Sequence, residues 1–213
     1  LYGDGCTVSG KKDFLINIGG LKPDGSDVRI YYGNSTLNPM GIWEARPIPG
    51  SKKVMGTACA HHSMPAGSIV LVDVAKGIDG LEPITRFTPD VPFYESEFPV
   101  RSRFRGVWPP DVQKRLHTIR WPGHSYRSPY PLSERYCLAA YSFDTLRGEP
   151  YKNPPNLFGL YLVDCFGNKE LLYRDRGISC QSPIPLRPRA VPGAMPEAIA
   201  GYRSGRPFCT PLD

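Results

Sequence analysis

The chain has 213 residues, a formal charge of +6, a pI near 9.0, and 24 prolines and 22 glycines. Proline and glycine make up about a fifth of it, against a usual combined share of about 12%, with no collagen period, which excludes long helices and favours short strands joined by stiff turns. The length suits one domain with a real core or part of a larger protein, and no apolar run reaches the 18 residues of a membrane-spanning helix.

The chain opens on Leu1-Tyr-Gly, with neither an initiator Met nor a signal peptide, and reads as processed or cut from something larger. An apolar strand, Phe14 to Ile18, precedes Lys22-Pro-Asp-Gly-Ser-Asp27. There Pro presets φ, Asp bonds its own backbone and Gly takes the left-handed position, so a turn is expected, with Val28 to Tyr32 leaving it as a second strand. Asn34-Ser-Thr36 matches the N-glycosylation acceptor, a match that a tripeptide makes easily.

Ala45 to Ile48 is expected to approach as a strand, Pro49 to Lys52 to turn, and Val54 to Ala60 to cross back through the core. Gly56, Ala58 and Ala60 alternate with Met55, Thr57 and Cys59, a pattern for an inner strand pressed by layers on both faces. His61 and His62 end that strand and point oppositely, so they do not readily share one metal. One reading makes them a packed and a hydrogen-bonded histidine, and the other gives one of them a ligand or acid–base role. Gly67 to Asp73, a Gly-Ile-Asp-Gly turn and Leu81 to Phe87 then form a second hairpin.

From residue 99 to 132 the sequence reads as one long irregular insertion, rich in Arg, Trp and Pro. It contains Arg103, Arg105, Trp108, Trp121 and His124, and much of the basic excess. An insertion of this length is often functional. It is read either as a solvated basic loop or as a face that grips another domain or protein, with nucleic acid the weakest partner class. Asp111 to Leu116 reads as one short helical turn. Ser133 to Phe143 is the counterpart of Val54 to Ala60, and the hairpin Phe158 to Asp175 turns at Asp164-Cys-Phe-Gly-Asn168. Asp73 and Asp164 are expected to accept turn backbone hydrogen bonds.

The turn aspartates Asp24, Asp73 and Asp164 stand 49 and 91 residues apart, the longer interval including the insertion. Four short strands per 40 to 50 residues is the period of a propeller blade. The fold expected is therefore all-β: a partial β-propeller of about three blades over residues 1–189, and an irregular tail or the start of the next unit over 190–213.

Cysteines stand at 6, 59, 137, 165, 180 and 209, none closer than 15 residues, which excludes CxxC redox pairs, CxxCH haem attachment and zinc ribbons. The even count permits disulfides, while Cys59, Cys137 and Cys165 suit buried thiols equally well. A nucleophile elbow, a P-loop, HExxH and a dinucleotide-binding glycine run are all absent. Glu134, Asp144 and His124 could meet in space as a hidden catalytic group.

The turn at 21–27 resembles the hallmark turn of TolB-like propellers. Over residues 14 to 189 the phrases Tyr32-Gly-Asn34, Ala45-Arg-Pro-Ile-Pro-Gly-Ser51, Ala60-His-His62, Ile69-Val-Leu-Val-Asp73, Pro129-Tyr-Pro-Leu-Ser-Glu134, Leu160-Tyr-Leu-Val-Asp164, Phe166-Gly-Asn-Lys-Glu-Leu-Leu-Tyr-Arg-Asp175 and Ile178-Ser-Cys-Gln-Ser-Pro-Ile-Pro-Leu-Arg-Pro-Arg189 are similar to the middle propeller region of hydrazine synthase alpha-subunit-like proteins of planctomycetes and related bacteria. The resemblance implies a propeller scaffold between haem-bearing regions. Its location would be periplasmic or extracellular, and the anammoxosome only for a true hydrazine synthase. Partners would be other domains of a parent protein or a redox subunit. Covalent c-type haem needs CxxCH, which this chain lacks, so haem is expected only in a parent protein and no cofactor within this chain. Fold resemblance does not carry activity with it. The function expected is a noncatalytic scaffold or docking segment. The alternative is part of a haem- or metal-dependent redox enzyme of nitrogen metabolism, with His61, His62, His124, Trp108, Trp121, Arg103 and Arg105 as candidate site or interface residues.

Overall fold

A computed structural model describes residues 2–4, 17–22, 26–33, 36, 39, 41–59, 65–91, 94–95, 119–120, 124–144 and 153–188. Over these residues the protein is all-β. Three antiparallel sheets follow one another along the chain. The first joins β1 (Tyr2–Asp4), β2 (Asn17–Gly20) and β3 (Arg29–Tyr32). The second is a four-stranded meander of β4 (Gly41–Pro47), β5 (Val54–Cys59), β6 (Ser68–Val72) and β7 (Ile84–Arg86). A small parallel pair, β8 (Tyr94–Glu95) and β9 (Ile119–Arg120), lies between it and the third sheet. The third repeats the meander with β10 (Ser125–Pro131), β11 (Tyr136–Ser142), β12 (Gly159–Asp164) and β13 (Lys169–Tyr173).

The three hairpins expected from the sequence are β2–β3, β6–β7 and β12–β13, all antiparallel. Their turns close as the residue types dictate. Asp73 Oδ1 accepts the Ala75 N–H at 3.1 Å, and Asp164 Oδ1 accepts those of Phe166 and Asn168 at 2.9 and 3.0 Å. Gly167 takes a φ of 92°, which frees the chain to turn back into β13. The six residues of β5 are all buried, as a strand layered on both faces requires. A Cβ on Gly56 would stand 2.6 Å from the Ile42 side chain, so only glycine lets β4 lie this close to β5.

The insertion expected over 99–132 is corrected at its end: residues 125–131 are β10, with Ser125, Tyr126, Ser128, Pro129 and Pro131 buried. Two features hide this strand from a period-2 reading. The register to β11 shifts between Arg127 and Tyr130, with Ser128 at a φ of 52°, so the alternation breaks at a bulge. Prolines 129 and 131 are tolerated because β10 is an edge strand, where a missing N–H breaks no ladder. β4 is built the same way, with a shift between Trp43 and Arg46, Glu44 at a φ of 56° and Pro47 at its end.

Two apolar layers hold the sheets face to face. Between the second and third lie Ile48, Met55, Ile69, Leu71, Phe87 and Val91, packed on Tyr126, Cys137, Ala139, Tyr141, Tyr161 and Val163. Between the first and second, Ile18 and Tyr32 meet Ile42, Ala58, Val70 and Val72. Burial pushes the Tyr32 phenol up to about 12, a hydrogen bond with Thr36 opposing the shift, and its hydroxyl donates to the Gly80 carbonyl. Thr36 Oγ1 lies 3.1 Å from Asp79 Oδ1 and accepts the Gly80 N–H at 2.8 Å, which ties this segment to the β6–β7 connection. Asn34 and the short helical turn expected over 111–116 lie outside the described residues, as does Asp24. Among the described residues no helix is long and apolar enough to cross a membrane.

Candidate functional site

The polar chemistry of the chain gathers in the seam between the second and third sheets, around three carboxylates. The first is Glu44, which the bulge of β4 turns toward the bulge of β10. Its carboxylate accepts from the Ser128 backbone N–H, from Ser128 Oγ at 2.8 Å and from Thr57 Oγ1 at 3.2 Å, and pairs with Arg127 Nη2 at 3.4 Å. The Arg127 guanidinium also lies 5.8 Å from the centre of the Phe158 ring. Two buried donors here, Trp43 Nε1 and Arg127 Nε, have no hydrogen-bond partner. A non-glycine residue in the left-handed region costs about 1 kcal/mol or more. Here two such residues face each other, and the hydrogen bonds between them offset that cost.

The second is Asp90, in the loop after β7. Its Oδ2 accepts from the Tyr126 hydroxyl at 2.9 Å and from Lys169 Nζ at 3.0 Å. The Lys169 ammonium also donates to the Gly167 carbonyl at 3.0 Å and sits 5.0 Å from the centre of the Tyr141 ring. Burial, with the Asp90 charge behind it, pushes the Tyr126 phenol far above its ordinary value, so it serves as a hydrogen-bond donor and not as an acid near neutral pH. His124 closes the cluster, with Nε2 3.3 Å from the Asp90 backbone oxygen and its ring tilted over Tyr141 at 5.8 Å.

The third is Glu134, in the β10–β11 turn. It takes Ser51 Oγ at 2.6 Å and Lys53 Nζ at 2.7 Å, both from the β4–β5 turn of the second sheet. The Lys53 ammonium, seconded by Ser51, holds this carboxyl below its usual range.

These positions decide the convergence suggested for Glu134, Asp144 and His124: it does not form. Ser125 pairs with Ser142, so His124 and Asp144 flank one end of the β10–β11 hairpin while Glu134 occupies its turn. At about 3.3 Å per residue, a seven-residue strand holds the two ends roughly 20 Å apart. Asp144 pairs instead with Arg174 at 3.7 Å. His124 is the one candidate site residue that the structure describes; His61, His62, Trp108, Trp121, Arg103 and Arg105 lie outside the described residues. Among the described residues no three His, Cys, Asp or Glu side chains are grouped to hold a metal ion.

No protein-family model, curated protein or solved structure matches the chain. The seam must therefore be read from its own chemistry. Each of its carboxylates has its charge answered by a lysine or arginine and accepts hydrogen bonds from the neighbouring sheet, an arrangement that joins sheets. Sequence reasoning missed Glu44, Asp90, Tyr126 and Lys169. The one local signal was Glu44, a carboxylate set beside Trp43 in a strand that opens on Gly41-Ile-Trp43.

Proposed function

We propose that this chain is a noncatalytic section of a β-propeller, a scaffold or docking segment of a larger secreted bacterial protein of the hydrazine synthase alpha-subunit-like kind. The observation that carries this reading is the repeated stacking: β10, the first strand of one meander, packs across β4, β5 and β6 of the meander before it. Four-stranded sheets stacked in sequence order are what a propeller is built from. The seam supports it further, because its acidic and basic groups are engaged in fastening one sheet to the next. The phrases shared with the propeller region of the hydrazine synthase alpha-like proteins give the kind of parent. With no CxxCH in the sequence, any haem would belong to other parts of that parent.

The competing reading is a segment of a haem- or metal-dependent redox enzyme that uses His61, His62 or His124 as ligands. The two part on metal retention. The purified chain is loaded in turn with Zn²⁺, Cu²⁺ and haemin, passed over a chelating resin or a desalting column, and its bound metal is counted. The scaffold reading expects far less than one equivalent per chain. One retained equivalent, lost in His61→Ala, His62→Ala or His124→Ala, would overturn it.

A further inference from the structure

The ladders put the second and third sheets in residue-by-residue correspondence. Pro47 pairs with Val54 as Pro131 pairs with Cys137, and Val54 pairs with Val72 as Cys137 pairs with Val163. The bulges agree as well. Glu44-Ala-Arg-Pro-Ile48 and Ser128-Pro-Tyr-Pro-Leu132 each open on a residue at positive φ, 56° and 52°, and each close on a proline and an aliphatic residue. A third copy stands after β13. Ser182-Pro-Ile-Pro-Leu186 has the same spacing, Ser182 takes a φ of 51°, and Pro183 is buried as Pro129 is. Four non-glycine residues have positive φ among the described residues, and three of them hold this one position of the repeat.

The third copy is also seated as the repeat requires. Two residues before Ser128, the Tyr126 N–H donates to the Gly67 carbonyl at 2.9 Å, and two residues before Ser182, the Cys180 N–H donates to the Phe158 carbonyl at 2.9 Å. Gly67 lies as far before Val72 as Phe158 lies before Val163, so the two acceptors are counterparts. The Phe158 N–H goes to Ser179 Oγ at 3.3 Å, in place of the second backbone bond that Gly67 makes. Residues 179–187 thus begin on the third sheet as β10 begins on the second, yet among the described residues no strand pairs with them. Leu186 is 105% exposed, whereas its counterpart Ile48 is 2% exposed. The sheet beneath is equally open. Met55, Ile69 and Leu71, which the third sheet covers, have Leu138, Leu160 and Leu162 as counterparts, and these are only half-buried.

We propose that residues 179–187 are the leading strand of a fourth four-stranded sheet, and that the other strands of that sheet, belonging to the parent protein, cover the leucine face of the third. This rests on the propeller-section reading above. The strand already in place selects the occupant. After a short turn, β4 and β10 each pair antiparallel with an inner strand. In the third sheet that inner strand and the next lay Cys137, Ala139, Tyr141, Tyr161 and Val163 on the sheet before. A fourth sheet begun by 179–187 brings the same two strands over Leu138, Leu160 and Leu162. What the face accepts is therefore an antiparallel strand pair with apolar side chains at alternate positions.

The test supplies the missing strands from the protein itself. A copy of residues 133–175, which carry the β10–β11 turn and β11 to β13, is inserted between Leu186 and Arg187 of the full chain, where Leu186 stands in for Leu132. Maleimide labelling of Leu132→Cys, read peptide by peptide, should slow at least about tenfold on insertion as the face is covered. Tyr141→Asp with Tyr161→Asp, made in the inserted copy only, should restore the original rate. In the chain without insertion, the amides of 179–182 should be protected from hydrogen exchange as those of 125–128 are. Labelling unchanged by the insertion, slowing that survives the two aspartates, or free-chain exchange at Cys180 would overturn the proposal. None of these readouts involves a metal, so the proposal and the scaffold reading fail separately.

Discussion

Replacing Glu44 by alanine removes the acceptor of four groups at once: the Ser128 N–H and hydroxyl, the Thr57 hydroxyl and the Arg127 guanidinium. The side chain of Arg127 is 14% exposed, so its charge would stay in the seam without its partner. Breaking a buried pair from one side costs about 3 to 5 kcal/mol. Because the Glu44 side chain keeps 25% of its exposure, the lower end, roughly 3 kcal/mol, applies. Alanine also stays strained at the φ of 56°, whereas glycine does not. Glu44→Gly should therefore be the milder variant by about 1 kcal/mol, although it deletes more of the side chain. The assay is urea unfolding followed by tryptophan fluorescence and circular dichroism. With a slope of about 2 to 3 kcal/mol/M, the alanine variant should shift the midpoint by roughly 1 to 1.5 M. Adding Ser128→Ala to Glu44→Ala should cost little more, since the two act as one unit. A midpoint for Glu44→Ala within about 0.2 M of wild type, or a glycine variant less stable than the alanine one, would refute the view that this node fastens the sheets.

Three further outcomes follow from the same seam and its turns. Gly67 bridges to Tyr126 by reciprocal backbone hydrogen bonds of 2.8 and 2.9 Å, and an added Cβ would stand 2.2 Å from the Ala58 carbonyl oxygen. Gly67→Ala should thus destabilise by about 3 kcal/mol or more, and a thermal melt matching wild type would contradict this. Lys169→Met leaves Asp90 with the Tyr126 hydroxyl as its side-chain donor and should lower stability by roughly 2 to 3 kcal/mol, with Tyr126→Phe the milder change at about 1 kcal/mol; the reverse order in urea titrations would count against the pairing. Asp164 is held below its usual pKa, first by the Asn168 side chain and then by turn N–H groups. Its contribution is therefore present above the unfolded value of about 4 and lost as pH falls through the folded one. Asp164→Asn should flatten the decline in thermal midpoint below about pH 4, and an unchanged acid limb would show that the turn carries no such linkage.

Local chemistry made much of the fold legible. Hairpins turning at Asp73 and Asp164 announce themselves because Asp and Gly mark turns between apolar runs, and β5 and β11 because small and apolar residues run unbroken through them. β10 was illegible for an equally local reason: the bulge at Ser128 and the two prolines erase the alternation. Its signal was the match of Tyr130-Pro-Leu132 to Arg46-Pro-Ile48, which marks the same corner in each meander. The seam was hidden for a different reason, because its partners lie far apart in sequence: Glu44 and Ser128 by 84 residues, Lys53 and Glu134 by 81, Asp90 and Lys169 by 79. Composition and periodicity report neighbours along the chain, and no local pattern tells which carboxylate meets which cation across a sheet interface.

Native-state hydrogen exchange tests most directly the claim that stacked sheets form one fastened scaffold. Peptides covering β5 of the second sheet and β11 of the third are followed by mass spectrometry through increasing, sub-denaturing urea. Sheets joined as described should open together, with the two strands sharing one opening free energy and one urea dependence, and Glu44→Ala should lower both by the same amount. If β11 exchanges through its own, lower-energy opening while β5 stays protected, and Glu44→Ala moves neither, the seam is not what holds the sheets together.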